Sequence, residues 1–220
     1  MTASKPPGGP KRVGVALSPD QVHLLIEAAS GWLAEFLAVE AGLGIRRGEA
    51  LALRWSDIVG DEAYISRSLC QVGESLIFKG TKSGRDRRIA VPPTVTGALD
   101  RQRVAQGKER ATFPDYRCDL DLVFCRYDGE PLGPDSVSAK VSLLCRRLKL
   151  PAGASLHALR HSHGSQLIAD GESVANVSKR LGHANASTTL NIYTHAIPGD
   201  DRETYQRWED IQGERPEKRQ

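Results

Sequence analysis

Apolar residues recur at helical spacing along much of the chain, beginning just after Ser18. Ser18, followed by Pro19 and Gln21, has the sequence of a helix N-terminus closed by a capping box. Two further helices are predicted over 32–40 and 49–54. The remaining helical patterns cover residues 94–110, 135–149, 156–170, 174–181 and 186–193. This pattern predicts a mainly helical protein.

Short runs of β-branched and aromatic residues interrupt the helical pattern between residues 61 and 92. Three strands are predicted at 63–65, 76–78 and 89–91, because each run is bounded by glycine or polar turn residues. The last two strands are predicted to flank a polar hairpin over 79–88. Together these elements indicate an α+β fold, mainly helical, with one small antiparallel sheet.

The two ends of the chain lack this periodicity. Residues 1–16 contain three prolines and three glycines, and we expect them to form a flexible lead-in. We expect residues 198–220 to form a charged tail, with a short helix over 200–208 in which Trp208 is an apolar anchor. One domain is therefore predicted over residues 17–197.

Composition adds little until the charges are placed along the chain. The formal net charge of +3 does not by itself indicate a nucleic-acid-binding protein. However, residues 67–110 hold ten basic and four acidic side chains, and residues 140–183 hold seven and two. Because a phosphate backbone responds to local charge, these two basic segments are compatible with DNA binding.

Cysteine usage and hydropathy exclude several classes of protein. The four cysteines lack C-x-x-C spacing, which argues against a zinc ribbon or a disulfide scaffold. The chain begins without an apolar signal segment, and no apolar run approaches the length of a membrane span. We therefore expect a protein of the reducing cytoplasm, with no membrane partner.

His157 and Arg160 are candidates for chemistry because, three residues apart on a predicted helix, they share one face. Arginine offers a rigid fork of donors that matches a phosphate, and histidine donates a hydrogen bond or moves a proton near neutral pH. The pair predicts a cradle for a phosphodiester. A buried structural histidine beside a solvated arginine fits the two residues equally well.

Arg46, His183 and Tyr193 are ambiguous when each is considered alone. Arg46 lies in a turn before a helix, where it binds either an anion or nothing. A tyrosine hydroxyl, with a pKa of roughly 10, is a poor nucleophile unless basic groups surround it, so such a tyrosine is more often structural. The basic segment 79–88 fits either a solvated loop or a finger laid against a nucleic-acid backbone.

The order of these motifs along the chain resembles the tyrosine recombinase, or phage integrase, family. Residues 44–58 (Gly-Ile-Arg-Arg-Gly-Glu, then Ala-Leu-Ala-Leu-Arg-Trp-Ser-Asp-Ile) resemble its first signature box. The segment 157–161 (His-Ala-Leu-Arg-His) is similar to its H-x-x-R box. Residues 181–183 (Leu-Gly-His) and 191–195 (Asn-Ile-Tyr-Thr-His) are similar to its final box. The basic segment lies where that family keeps its catalytic lysine, and the resemblance covers residues 17–197.

The resemblance implies that DNA is cleaved and rejoined through a covalent 3′-phosphotyrosine intermediate. Tyr193 is implied as the nucleophile, and its attack releases a 5′-hydroxyl. Arg46 and Arg160 are implied to hold the non-bridging oxygens, with Arg46 preferred to Arg47 as the first arginine of the R-x-G-E pattern. Because the phosphotyrosine keeps the energy of the phosphodiester, the resemblance implies no ATP and no other cofactor. It also implies no metal, because the arginines supply the electrostatic stabilisation that a metal gives in other enzymes.

Three further residues are implied to take part in the reaction. His183 is implied to donate to the phosphate, and His157 to exchange a proton with the tyrosine hydroxyl. Lys82 is implied to protonate the leaving 5′-oxygen, a role that suits a flexible ammonium. Lys79 stays open as the alternative, because both lysines lie in the basic segment.

The resemblance also implies partners and leaves rival functions open. The implied partners are double-stranded DNA, a tetramer of the protein on that DNA, and accessory DNA-bending proteins. The rivals are a type IB topoisomerase-like strand transferase and a non-catalytic DNA-binding remnant. A metalloenzyme using His157, His161 and His163 is disfavoured by Arg160 and by the lack of an H-E-x-x-H glutamate. His161, His163 and His195 are expected to be structural or surface residues.

One departure from the family pattern concerns the start of the chain. Members of that family usually carry an N-terminal helical domain that grips the other side of the DNA. Here only the lead-in over residues 1–16 precedes the catalytic region. We therefore expect the chemistry to be kept and tight site-specific binding to be weakened.

Overall fold

The computed structural model describes residues 15–81, 86–183, 185–193 and Trp208. Eight α-helices lie within these ranges, as predicted. They are α1 (Pro19–Glu27), α2 (Trp32–Leu43), α3 (Arg47–Ala52), α4 (Pro93–Thr112), α5 (Pro134–Arg147), α6 (Leu156–Ala169), α7 (Val174–Leu181) and α8 (Ala186–Tyr193). None of these helices is both long enough and apolar enough to cross a membrane.

The ends of two helices are fixed by the signals present in the sequence. At the start of α1, the Ser18 side chain accepts from the Gln21 backbone N–H, and the Gln21 side chain accepts from the Ser18 backbone in return. At the start of α7, Ser173 accepts from the backbone N–H of Asn176. Gly182 ends α7 with a φ of 67°, the left-handed conformation that favours glycine. The capping box predicted at Ser18 is confirmed.

Five short strands form two separate antiparallel sheets. The strands are β1 (Ile58–Val59), β2 (Glu62–Ile65), β3 (Arg67–Val72), β4 (Ser75–Gly80) and β5 (Arg87–Ala90). One sheet has the order β1–β2–β5, and the other consists of β3 and β4. The small antiparallel β component is therefore confirmed, but it is divided into two pieces.

The predicted hairpin over 79–88 is wrong, because the strands on either side of it pair with different partners. In β4, Lys79 pairs with Ser68 of β3, whereas in β5, Ile89 pairs with Ala63 of β2. The true hairpin joins β3 to β4 through a two-residue turn. Strand β3 was absent from the prediction because polar residues interrupt its apolar positions.

Helix α2 is the centre of the hydrophobic core. Phe36, Leu37, Val39 and Leu43 are fully buried, and α2 packs against both α4 and α6. A helix that is apolar nearly all round is expected inside a protein rather than at its surface. Because α3 follows α2 after one short turn, this packing fixes the start of α3 relative to α6.

At the two ends of the chain, the structure describes residues from Val15 onward and, beyond residue 193, Trp208. Val15, which the prediction places in the lead-in, packs against the core together with Leu17. The lead-in over residues 1–14 and the helix over 200–208 lie outside the described residues, apart from Trp208. The Trp208 side chain is exposed.

Candidate active site

Arg46 and Arg87 bind the same buried carboxylate, that of Glu49. Arg46 precedes α3, and its Nη1 donates to Glu49 Oε1 over 2.8 Å. From β5, Arg87 Nη2 donates to Glu49 Oε2 over 2.6 Å. The Glu49 side chain is 0% exposed. Burial opposes its ionisation, but the hydrogen bond and charge of Arg87, together with Arg46, hold the pKa of Glu49 below its usual value. This ionic triad orients the Arg46 guanidinium.

Arg160 is buried in α6 and donates to backbone carbonyls in two separate turns. Its Nη1 lies 2.7 Å from the oxygen of Gly44, and its Nη2 lies 2.6 Å from that of Leu181. Arg46 Nη2 donates to the next carbonyl, that of Gly182, over 3.1 Å. Burial and the positive charge of Arg46 lower the pKa of Arg160 to about 10, so Arg160 is still charged at neutral pH. Both guanidiniums are thus held at the turn that ends α7.

Arg46 and Arg160 line an open cleft of about 680 Å³, the cationic cleft. Its lining includes Arg46, Arg47 and Arg160, together with Lys79 of β4 and His157 at the start of α6. Several cations with fixed hydrogen-bond donors match the charge and geometry of a phosphate group. The structure therefore brings together three of the predicted site residues, namely Arg46, His157 and Arg160.

Two histidine rings on α6 lead from this cleft toward Tyr193. The His157 and His161 rings meet edge to face at 4.4 Å between centroids, and His161 lies 5.9 Å from the Tyr193 ring. Burial and the charges of Arg160 and Arg46 lower the pKa of His157, which favours its neutral form. Sequence reasoning gave His161 no part in the site, although its i,i+4 spacing from His157 is the signal for this stack.

His183 follows α7 and lines a neighbouring hollow of about 750 Å³, together with Arg87. Its Nδ1 is hydrogen bonded to Thr189 Oγ1 of α8 over 2.7 Å. Burial, and then the charges of Arg160 and Arg46, lower the pKa of His183 to about 4, so the ring is neutral at pH 7. A neutral imidazole carries one N–H, and the bond to Thr189 orients that ring. Thr189 belongs to none of the sequence motifs.

Tyr193 ends α8 with its side chain buried instead of facing the cleft. It is 1% exposed and packs with Ile168, Val177 and Leu181. Burial raises the pKa of Tyr193, against the lowering effect of Arg160, so the phenol is protonated at neutral pH. Tyr193 is not among the described residues that line the cleft or the neighbouring hollow. The predicted nucleophile is thus beside the other site residues but outside their cleft.

A comparison of the sequence with models of known protein families finds one match over most of the chain. The family model described as "Phage integrase family" matches residues 16–199. The chain belongs to the phage integrase family. Transposase A from transposon Tn554 of Staphylococcus aureus is 32% identical over 171 residues, which cover 75% of this chain and 44% of that protein. The integrase of Staphylococcus phage L54a is 28% identical over 179 residues, which cover 79% and 50%. This integrase-family chain thus spans about half the length of the curated relatives it matches.

Solved recombinase structures share the fold of this integrase-family chain. The Tn1549 transposon integrase, solved in complex with a circular intermediate DNA, superposes with a TM-score of 0.75 at 22% identity, covering 88% of this chain and 65% of that chain. The XerA recombinase superposes with a TM-score of 0.67 at 24% identity, covering 90% and 66%. The predicted fold class, the tyrosine recombinase catalytic-domain fold, is confirmed.

The two candidate lysines of this integrase-family chain differ in what the structure shows. Lys82 lies outside the described residues. Lys79 lies near the end of β4, pairs with Ser68 of β3, and lines the cationic cleft. Lys82 stays the predicted lysine on the sequence motif, and Lys79 is the alternative that lines the cleft.

His163 has a structural role in the integrase-family chain. Its Nδ1 is hydrogen bonded to the carbonyl oxygen of Ala41 over 2.9 Å, and its Nε2 accepts from Arg180 Nε over 2.9 Å. Because a carbonyl only accepts, Nδ1 carries the hydrogen. Both nitrogens are therefore engaged, and His163 is not available for a metal site with His157 and His161.

Glu40 is a buried acid that no sequence motif pointed to. It lies on α2 at the floor of the cleft, and its Oε2 has no hydrogen-bond partner among the described residues. Burial raises the pKa of Glu40 well above its usual value, although the charges of Arg47 and Arg160 act in the opposite direction. Its carboxyl group is therefore neutral in the native protein over a pH range in which it is ionised in the unfolded chain.

Glu40→Gln is expected to stabilise the protein at pH 7, because the glutamine side chain does not ionise. Because the folded state has the raised pKa, the wild type loses stability as the pH rises from the ordinary glutamate value toward the raised one, and glutamine removes this loss. Urea unfolding at several pH values measures the effect, with the exposed Glu27→Gln as a control expected to stay within about 0.5 kcal/mol. A difference between Glu40→Gln and wild type that does not grow with pH would contradict the assignment.

Proposed function

We propose that this chain cleaves and rejoins DNA in site-specific recombination, through a covalent 3′-phosphotyrosine intermediate. One observation carries the proposal. The guanidiniums of Arg46 and Arg160 are anchored at the turn before His183, and both residues line one cleft. Preorganised donors of this kind stabilise the negative charge that develops on a phosphoryl group in the transition state. Membership of the phage integrase family supports DNA as the substrate.

In the proposed step, a bond forms between Tyr193 Oη and phosphorus while the bond from phosphorus to the 5′-oxygen breaks. The phenol proton passes to His157, whose lowered pKa leaves a ring nitrogen free to accept it. Lys82 gives a proton to the departing 5′-oxygen. His183 donates to a non-bridging oxygen beside Arg46 and Arg160. Rejoining reverses these transfers, with a 5′-hydroxyl of DNA attacking the phosphotyrosine.

The proposal extends to the partners of the protein. The Tn1549 integrase was solved with a circular intermediate DNA, which supports double-stranded DNA as the partner here. Assembly of four copies on that DNA, with accessory DNA-bending proteins, is part of the proposal on the strength of the family resemblance.

Capture of the covalent adduct tests the proposal. The probe is a library of nicked duplexes with a randomised core, in which cleavage next to the nick releases a short fragment and traps the adduct. We expect an adduct that resists SDS, forms in EDTA without ATP, and maps to Tyr193 after proteolysis and mass spectrometry. Binding that SDS reverses fully would favour a non-catalytic DNA-binding protein. An adduct on another residue would overturn the assignment of the nucleophile.

The role of the lysine is tested by alanine variants on two kinds of leaving group. Lys82→Ala is expected to slow cleavage by about 10²–10⁴-fold, because the 5′-oxygen then departs without a proton donor. A substrate with sulfur in place of that oxygen should restore the rate, since a thiolate leaves without protonation. Lys79→Ala is the matched control, and it should change the two substrates equally. The reverse pattern would assign the role to Lys79.

A further inference from the structure

The ring of Tyr193 occupies the space where residue 164 would carry a side chain. Gly164 lies in the middle of α6, and a Cβ atom built on it would stand 2.6 Å from both Cζ and Oη of Tyr193. Real Cβ contacts are essentially never shorter than 3.0 Å. The tyrosine can therefore lie against α6 in this position only because residue 164 has no side chain.

The side chains around Tyr193, which together form what we call its seat, come from two helices. Ile168 follows Gly164 by one helical turn on α6, and His161 precedes it by three residues, so all three share one face of the helix. From α7, Val177 and Leu181 complete the apolar surround. The seat encloses Tyr193 to 1% exposure and keeps it out of the cationic cleft.

A second helical glycine shows that this close contact is specific. Gly107 lies inside α4, and a Cβ atom built on it would meet nothing within 4 Å. Replacing such a glycine by alanine raises helix propensity and creates no steric conflict. Gly107 is therefore a matched control for Gly164, since the substitution and the secondary structure are the same.

We propose that Gly164 is a positioning residue for Tyr193. Because it has no side chain, it allows the phenol to rest against α6 and outside the cationic cleft. The inference rests on the proposed function, in which Tyr193 is the nucleophile. To attack a phosphate in the cleft, the tyrosine has to leave this seat. The observed cleavage rate is then proportional to the fraction of molecules in which Tyr193 has left the seat.

The first test compares Gly164→Ala with Gly107→Ala in the full chain. Tetranitromethane at pH 8 nitrates accessible tyrosines, and the exposed Tyr127 serves as the internal reference. Gly164→Ala is expected to raise the nitration of Tyr193 relative to Tyr127 several-fold, and to raise the rate of adduct formation on the nicked duplexes in the same direction. Gly107→Ala should change neither.

These readouts separate the inference from the function on which it rests. A folded Gly164→Ala protein with unchanged nitration of Tyr193 and an unchanged adduct rate would overturn the positioning role. If no variant forms an adduct while nitration of Tyr193 still rises, the seat stands and the proposed function falls.

Thermal unfolding covers the case in which Gly164→Ala alone fails to fold. Gly107→Ala should raise the unfolding temperature by about 2–4 °C, the usual gain for a helical glycine replaced by alanine in a chain of this size. Gly164→Ala should lower the unfolding temperature instead. Combining Gly164→Ala with Tyr193→Leu should restore at least the value of Tyr193→Leu alone, because the shorter side chain leaves room for the new methyl group. A double variant that stays less stable than Tyr193→Leu would count against the seat.

Discussion

Tyr193→Phe is expected to abolish the SDS-resistant adduct completely while leaving DNA affinity within a few-fold of wild type. The substitution removes only the oxygen that is proposed to form the bond to phosphorus. The phenylalanine ring keeps the apolar surround of Ile168, Val177 and Leu181, so the fold around α8 is retained. Arg46 and Arg160, the residues proposed to bind the phosphate, are unchanged in this variant.

Two measurements on the same protein samples check this expectation. Gel-shift titration on the selected duplex gives the affinity, and SDS electrophoresis of the nicked duplex gives the adduct. Tyr127→Phe is the matched control, because Tyr127 is 58% exposed and lies outside the cleft and its neighbouring hollow. An adduct that persists in Tyr193→Phe would show that another group attacks the phosphate.

Glu49→Gln is expected to cost about 3–5 kcal/mol of unfolding free energy, because it removes the shared partner of two arginines at a buried position. Arg46 and Arg87 would then face each other across a neutral amide. Chemical unfolding in urea at pH 7 measures the loss. The control is Glu62→Gln, whose partner Arg88 forms an ion pair with side chains 48% and 72% exposed, and that change should cost less than about 1 kcal/mol.

The pH dependence of the same comparison adds an independent check. Because the folded state holds the pKa of Glu49 below its usual value, the stabilisation is present above that usual value and is lost as the pH falls through the lowered one. The difference between wild type and Glu49→Gln should therefore shrink on acidification. The pKa of Glu40 is shifted in the opposite direction, so the contribution of Glu40 to the unfolding free energy increases as the pH falls. A loss in Glu49→Gln that is independent of pH would argue for a packing effect instead of an ionic one.

The helices of this chain could be predicted from sequence because their signals are local. The side chains of Ser18 and Ser173 each accept a hydrogen bond from a backbone N–H three residues later, so four consecutive residues contain each cap. Strand pairing is not local in this sense. Lys79 pairs with Ser68, but Ile89 reaches back past both to Ala63, and alternation of residue types does not specify which partner a strand takes.

The candidate site shows the same division between local and distant information. The sequence pattern indicated His157 and Arg160, and the structure places both at one cleft. The contact of Arg87 with Glu49 spans 38 residues, and no short motif encodes it. The burial of Glu40 also depends on helices that approach from distant parts of the chain. Partners separated in this way become visible only when the packing is known.

The separate pairing of β4 and β5 has a consequence for how this part of the chain can change. In a hairpin, inserting one residue between the strands shifts their register and turns side chains to the wrong face. Here β4 is aligned by β3, and β5 is aligned by β2. The connection from Thr81 to Asp86 therefore sets neither alignment, and variants with a residue added or removed there are expected to keep both sheets. Changes in the length of the connection that carries Lys82 are therefore expected to leave the fold intact, because each flanking strand is aligned by a partner elsewhere in the chain.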